Sequence, residues 1–290
     1  MRIVYHLGAH CTDEDRLIRC LLKNRAVLAE EGIAIPSPTR YRKLLRNTAV
    51  QLKGAPASAE TQAMILEQIL DAPSADRMVL SWESFMAFPA WAVRGAFYEF
   101  TGERIRAFTN VFPDTEPEFH LAIRNPATYL PALKAKIAER GQDPNLVEAD
   151  PMSISWSDAI RQILHFNPGV PLTVWCDEDT PLIWPEVLQA VSGHATTTRL
   201  QDCDDVLALV LTETGLSRLK AYCVQHPPAS VSHRRRVITA FLEKFARPQE
   251  IEVPVEMAGW TQDYVDELTA RYHQDIARIR QMPRVRFIDP

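Results

Sequence analysis

Short apolar runs, separated by stretches with a helical hydrophobic period, constrain this chain more than any other feature. Arg2-Ile-Val-Tyr-His-Leu7, Arg77-Met-Val-Leu-Ser-Trp82, Glu118-Phe-His-Leu-Ala-Ile-Arg124 and Pro171-Leu-Thr-Val-Trp-Cys176 have the length and content of strands. A strand buried on both faces loses its apolar–polar alternation, so runs like these mark a sheet covered on both sides. Between them the period becomes helical. Leu17, Ile18, Leu21, Leu22 and Leu28 share one face up to Gly32, and Met64, Ile65, Ile69 and Leu70 share another. Helices are also predicted over 91–100, 127–140, 157–166 and 185–191. Residues 206–245 read as helices broken at Pro227-Pro228. Tyr264, Val265, Leu268, Tyr272, Ile276 and Ile279 form a long stripe that Pro283 ends. Residues 36–60 read as loop with one short helix, 104–112 as a partly alternating strand, and 284–288 as a last strand. Parallel strands need crossover connections long enough to hold a helix. The expected fold is therefore α/β, three-layered, with a mostly parallel sheet and a helical C-terminal region at 206–282, all in one domain of residues 1–290.

Composition removes several functions. With 32 basic and 37 acidic residues among 290, the net charge of −5 argues against a nucleic-acid binder or a polybasic membrane anchor. No run approaches the ~20 apolar residues of a membrane span, so no membrane insertion is expected. The apolar run within residues 1–7 is too short for a secretory h-region, and His6 and His10 follow at once, so no signal peptide is expected. The five cysteines are widely spaced, with no C-x-x-C; that pattern suits a reducing cytoplasm and carries no zinc signature, so no metal is expected. Only 10 glycines are present, and G-x-G-x-x-G, G-x-S-x-G and H-E-x-x-H are absent.

In open parallel sheets, ligands bind beyond the carboxyl ends of the strands. That rule selects residues 8–12, 81–83, 124–126 and 177–179. The first carries the most specific signal. His6-Leu-Gly-Ala-His-Cys-Thr-Asp-Glu-Asp-Arg-Leu17 resembles the opening of a bacterial branch of the sulfotransferase family, whose fold is of P-loop type and whose loop reads H-x-G-x-H-K-T-G-T-T-x-L. His6, Gly8, His10, Thr12 and Leu17 match by position. Leu22, Asn24, Arg25, Leu28, Gly32 and Pro36 resemble the helix and turn that follow. Leu121-Ala-Ile-Arg-Asn-Pro126 resembles the strand whose arginine binds the donor's 3′-phosphate, and residues 282–290 resemble the family's close.

The resemblance implies transfer of a sulfonate group from 3′-phosphoadenosine 5′-phosphosulfate to a hydroxyl or amine of a small-molecule or glycan acceptor. Gly8, Ala9, His10, Thr12 and Arg16 would cradle the donor, Arg124 would hold the 3′-phosphate, and His10 or Glu83 would be the base. This chain also departs from the pattern. Cys11 stands at the loop's lysine, Asp13-Glu14-Asp15 at its Gly-Thr-Thr, and Ala132 at a serine eight residues after the arginine. One unit charge ~6 Å from another, at an effective dielectric of ~20, amounts to roughly 3 kcal/mol. A single acid facing the anion would thus weaken it about a hundredfold. Three functions stand open: a sulfotransferase-like enzyme, a member that keeps the scaffold as a binding or regulatory protein, or an enzyme using the same cleft for another anion or a metal.

Each chemical reading has a plainer one beside it. The three acids complement a helix N-terminus as well as they suit a cation, and Thr12 with Asp15 resembles a capping box. His6 and His10 suit a structural role, and Glu83 suits a salt bridge. Cys11 as a nucleophile is opposed by the neighbouring acids. His233-Arg-Arg-Arg236 is the one basic run, and reads as a solvated face or a grip on an anion.

Overall fold

The computed structural model describes residues 1–147, 149–251, 255 and 257–290. In chain order the elements are β1 (Arg2–His6), α1 (Arg16–Lys23), α2 (Arg25–Glu30), β2 (Ile33–Ala34), α3 (Pro38–Leu52), α4 (Ala59–Ile69), β3 (Arg77–Ser81), α5 (Thr101–Thr109), β4 (Glu116–Ile123), α6 (Pro126–Glu139), α7 (Trp156–Phe166), β5 (Leu172–Cys176), α8 (Thr180–Ser192), α9 (Asp205–Val210), α10 (Glu213–Gln225), α11 (Val231–Phe245), α12 (Pro248–Ile251), α13 (Gln262–Arg280) and β6 (Val285–Phe287). The six strands form one sheet in the order β2-β3-β1-β4-β5-β6, and every pairing is parallel.

The pleat sorts each strand between two cores. Ile3 and Tyr5 of β1, Leu80 of β3 and Leu121 of β4 pack against α3, α4, α5, α6, α7 and α13. Val4, Val79 and Ala122 point the other way, onto Leu17, Ile18 and Leu21 of α1 and Ile183, Trp184 and Val187 of α8. Helices on both faces of a buried parallel sheet make three layers. A smaller cluster, built on Leu211, Leu219, Val237 and Ile238, holds α9, α10 and α11 together. Among the described residues, no helix is long and apolar enough to cross a membrane.

Several expectations need correction. Residues 104–112 are not a strand but the C-terminal half of α5 and the turn after it. The buried positions Thr101, Gly102, Ile105, Phe108 and Thr109 follow a helical period, and three of them are too small or polar to register as hydrophobic. Gly102 is where α5 meets α7: a Cβ there would lie 2.3 Å from the Gln162 carbonyl oxygen. Trp91 ends a short 3-10 turn, and residues 92–100 are bends and turns rather than an α-helix. The expected loop at 36–60 contains the 15-residue α3, which buries Tyr41, Leu45, Thr48 and Ala49. The single helix expected up to Gly32 is broken at Asn24, whose amide bonds the Cys20 and Gln201 carbonyls, each at 2.9 Å. The cysteine spacing also hides one pairing. Cys20 and Cys203 form a disulfide, not the all-thiol state that a reducing cytoplasm favours.

The sheet order fixes where a ligand can sit. After β1 the chain leaves through α1 toward β2 and β3; after β4 it leaves through α6 and α7 toward β5 on the other side. Neighbouring strands whose connections part in this way open a crevice between their carboxyl ends. The loop after β1 and Arg124 after β4 flank that crevice.

Candidate functional site

Beside that crevice, at the carboxyl ends of β1 and β3, a cleft of about 500 Å³ opens, lined by His6, Gly8, Ala9, Asp13–Asp15, Arg42, residues 81–84, Phe88, Lys136, Glu139 and Arg140. Its floor is the loop of residues 8–15. Gly8 takes φ +45°, a conformation glycine adopts without strain. Cys11, Glu14 and Asp15 also have positive φ, at 61°, 50° and 62°, with no such freedom. Three strained residues in one short loop persist only where the surroundings hold them. Of residues 8–15, His10 gives its backbone N–H to the Tyr98 hydroxyl at 3.3 Å. Among the described residues, the backbone N–H groups of the other seven have no partner in the chain.

The three acids take three directions. The Asp13 carboxyl accepts the Leu17 N–H at 2.7 Å and so caps the first turn of α1 from the loop before it. Asp15 turns out to a bidentate pair with Arg42 of α3, at 2.6 and 3.1 Å. The capping box expected from Thr12 and Asp15 is therefore not formed: the Thr12 hydroxyl donates to the Ala9 carbonyl at 2.7 Å instead. Glu14 reaches the Lys136 ammonium of α6 at 2.8 Å. Lys136 also bonds Glu83 at 2.5 Å, and Glu83 in turn binds Arg140, one turn further along α6, at 2.7 Å. Burial opposes the charge of Lys136, but its bonds to Glu14 and Glu83 outweigh that and hold its pKa above the usual lysine value. Burial likewise disfavours ionised Asp15, and the Arg42 bonds overcome it, leaving that carboxyl below its ordinary value.

Of the other expected site residues, His10, Arg16 and Arg124 do not line the cleft. His10 is fully buried, stacked on Tyr98, with Nδ1 2.7 Å from the Tyr98 hydroxyl. Burial, then the charges of Lys136 and Arg140, push its pKa down to about 3, so it is neutral and has no face toward the cleft. A general base must be within reach of its proton, which His10 is not. Arg124 bonds the Cys11 carbonyl oxygen through Nη1 and the Thr128 hydroxyl through Nε at 3.0 Å. Arg16 donates to the Asp13 carbonyl at 3.0 Å. Burial pushes the Cys11 thiol up to about 12, which opposes thiolate chemistry. Gly8, Ala9 and Glu83 do line the cleft. His6 also reaches it, its Nδ1 2.8 Å from the Ser81 hydroxyl. Sequence reasoning missed Arg42, Lys136 and Arg140. Lys136 and Arg140 sit one and two helical turns beyond Ala132, on the same face of α6, and that spacing was the available signal.

Among the described residues, no three His, Cys, Asp or Glu side chains are grouped to hold a metal ion. No family model matches the chain, and neither does any curated protein or solved structure.

Behind the loop, burial pushes the carboxyls of Asp13 and Asp177 up to about 7 each. The proton stays on the folded chain at pH values where the unfolded chain, with carboxyls near 4, has lost it. Stability from these groups is fully present below pH 4 and is lost as pH rises from about 4 to 7. Asp177→Asn removes one such loss. We expect it to be neutral near pH 4 and to stabilise the protein by about 2 kcal/mol at pH 8, half the full value because the group keeps some solvent contact. Denaturant midpoints at the two pH values measure this; an equal effect at both would show that Asp177 titrates normally.

Proposed function

We propose that this chain is a sulfotransferase-like protein that keeps an anion-loop scaffold but acts by binding rather than by sulfonate transfer. One observation carries the reading: every cation lining the cleft is already bonded to a carboxylate of the same cleft. Five acids there face three bases. A phosphosulfate nucleotide brings several negative charges, and it would have to displace Glu14 and Glu83 from Lys136. The arginine that the resemblance assigns to the 3′-phosphate is committed to the Cys11 carbonyl. The site therefore suits an uncharged or zwitterionic ligand better than a polyanion.

Sulfonate transfer, the second reading, is favoured by the loop's backbone N–H groups, unpartnered among the described residues, and by Lys136, which brings a cation from α6 to the loop that lacks its own. Calorimetric titration with 3′-phosphoadenosine 5′-phosphate separates the two. The expected result is no saturable binding at millimolar ligand. Micromolar binding that Arg124→Ala abolishes would overturn the binding-protein reading and restore the enzyme.

A further inference from the structure

A second pocket, of about 350 Å³, lies on the far side of Phe88 between α3 and α5. It differs from the main cleft in charge. Arg46 of α3 and Arg104 of α5 both lie over the Phe88 ring, their guanidinium carbons 5.3 and 4.7 Å from its centroid. Among the described residues, neither has a carboxylate partner. Glu103 lines the pocket without an ion pair to either, since neighbouring helix positions do not face one another. Arg104 is held in place by the Ser84 carbonyl, through Nε at 3.1 Å and Nη2 at 2.8 Å, and by the Phe108 ring. Burial and the charge of Arg46 lower the Arg104 pKa to about 10, so a bound anion would relieve a repulsion already present.

The rim is apolar. Val50 and Phe100 are 70% and 61% exposed, among the most exposed large hydrophobic side chains of the protein, and both line this pocket. Two guanidinium groups with no ion pair among the described residues, beside exposed aliphatic and aromatic surface, make an amphipathic site even with Glu103 in the lining. Its volume falls in the range of small-molecule pockets. A protein partner is a poorer fit, because the feature is one small concavity rather than a broad face.

We propose that this pocket binds a small molecule with one anionic head, a carboxylate or a phosphate monoester, on an aromatic or apolar body. The head sits between Arg46 and Arg104, and the body packs on Phe100 and Val50. Titration calorimetry with phenyl phosphate and with benzoate tests this, using inorganic phosphate as the head alone. At least one aromatic probe should bind with a submillimolar Kd, and the tighter of the two names the head. Arg46→Gln, an exposed change, should weaken it about tenfold or more with an unchanged melting midpoint, and Phe100→Ala should weaken it as well. Absence of saturable binding by both aromatic probes overturns the proposal. So does an affinity that Arg46→Gln leaves unchanged, or inorganic phosphate binding as tightly as phenyl phosphate. The pocket adjoins the main cleft across Ser84 and Phe88 but shares no lining residue with it, so a failure here leaves the proposed function standing.

Discussion

Cys203→Ser should lower stability by about 5 kcal/mol and the melting midpoint by about 10 °C. The Cys20–Cys203 bridge closes a loop with a sequence separation of 183 residues, and in the chain-entropy account long loops restrict the unfolded chain most. Its position adds to this. Cys20 is fully buried on α1, in the core beneath the sheet, while Cys203 lies in the irregular stretch between α8 and α9. Only a few further bonds fix that stretch to α1 and α2. The Asn24 side chain receives the Gln201 N–H at 2.7 Å, Lys23 bonds the Asp202 carbonyl, and Glu31 accepts the Ala195 N–H at 2.8 Å. Without the bridge, α9, α10 and α11 rest on these contacts and on their packing against α8. Thermal unfolding with and without reductant measures the effect. Cys20→Ser and Cys203→Ser should match the reduced wild type. A reductant that cleaves the bridge yet moves the midpoint by less than about 2 °C would show that the bridge adds no stability.

The sheet was legible because burial on both faces leaves a strand with almost no polar residues. β1, β3, β4 and β5 each declare themselves that way. β2 has two residues, too few for any pattern. α5 was hidden because its contact face uses Thr101, Gly102 and Thr109, which add no hydrophobic signal although the Gly102 position sets how closely α5 approaches α7. The disulfide was invisible for a related reason: a separation of 183 residues carries no spacing rule.

The site divides along the same line. Gly8, Ala9 and Glu83 were found because they sit at strand ends, where topology alone places them. The directions of Asp13, Glu14 and Asp15 were not legible, since they depend on positive φ at Cys11, Glu14 and Asp15, which non-glycine residues rarely adopt. His10 was misplaced for the opposite reason. A histidine in a loop pattern looks available, but the Tyr98 hydroxyl and the aromatic cluster of Phe97, Tyr129 and Trp156 around Tyr98 hold this one inside.

On the proposed function, Glu14→Gln/Glu83→Gln should create a nucleotide affinity that the wild type is expected not to show. If net charge is what excludes 3′-phosphoadenosine 5′-phosphate, removing the two carboxylates on Lys136 frees one ammonium, and Arg140 with it, beside the open backbone N–H groups of the loop. Each acid contributes roughly 3 kcal/mol of repulsion at ~6 Å and an effective dielectric of ~20, and salt screens part of it. A gain of about a hundredfold is expected, larger at low ionic strength. Restoring the acid at position 83 alone should return about half of the free-energy difference. Adding Lys136→Ala to the double variant should abolish the gain, because that side chain is the relocated cation. Lys136 is mostly buried, so melting midpoints must show that the double variant stays folded before its affinity is read. A folded double variant that still ignores the nucleotide would mean that charge is not the barrier. The bond from Arg124 to Cys11, which withholds the arginine proposed for the 3′-phosphate, would then be the feature that closes the site.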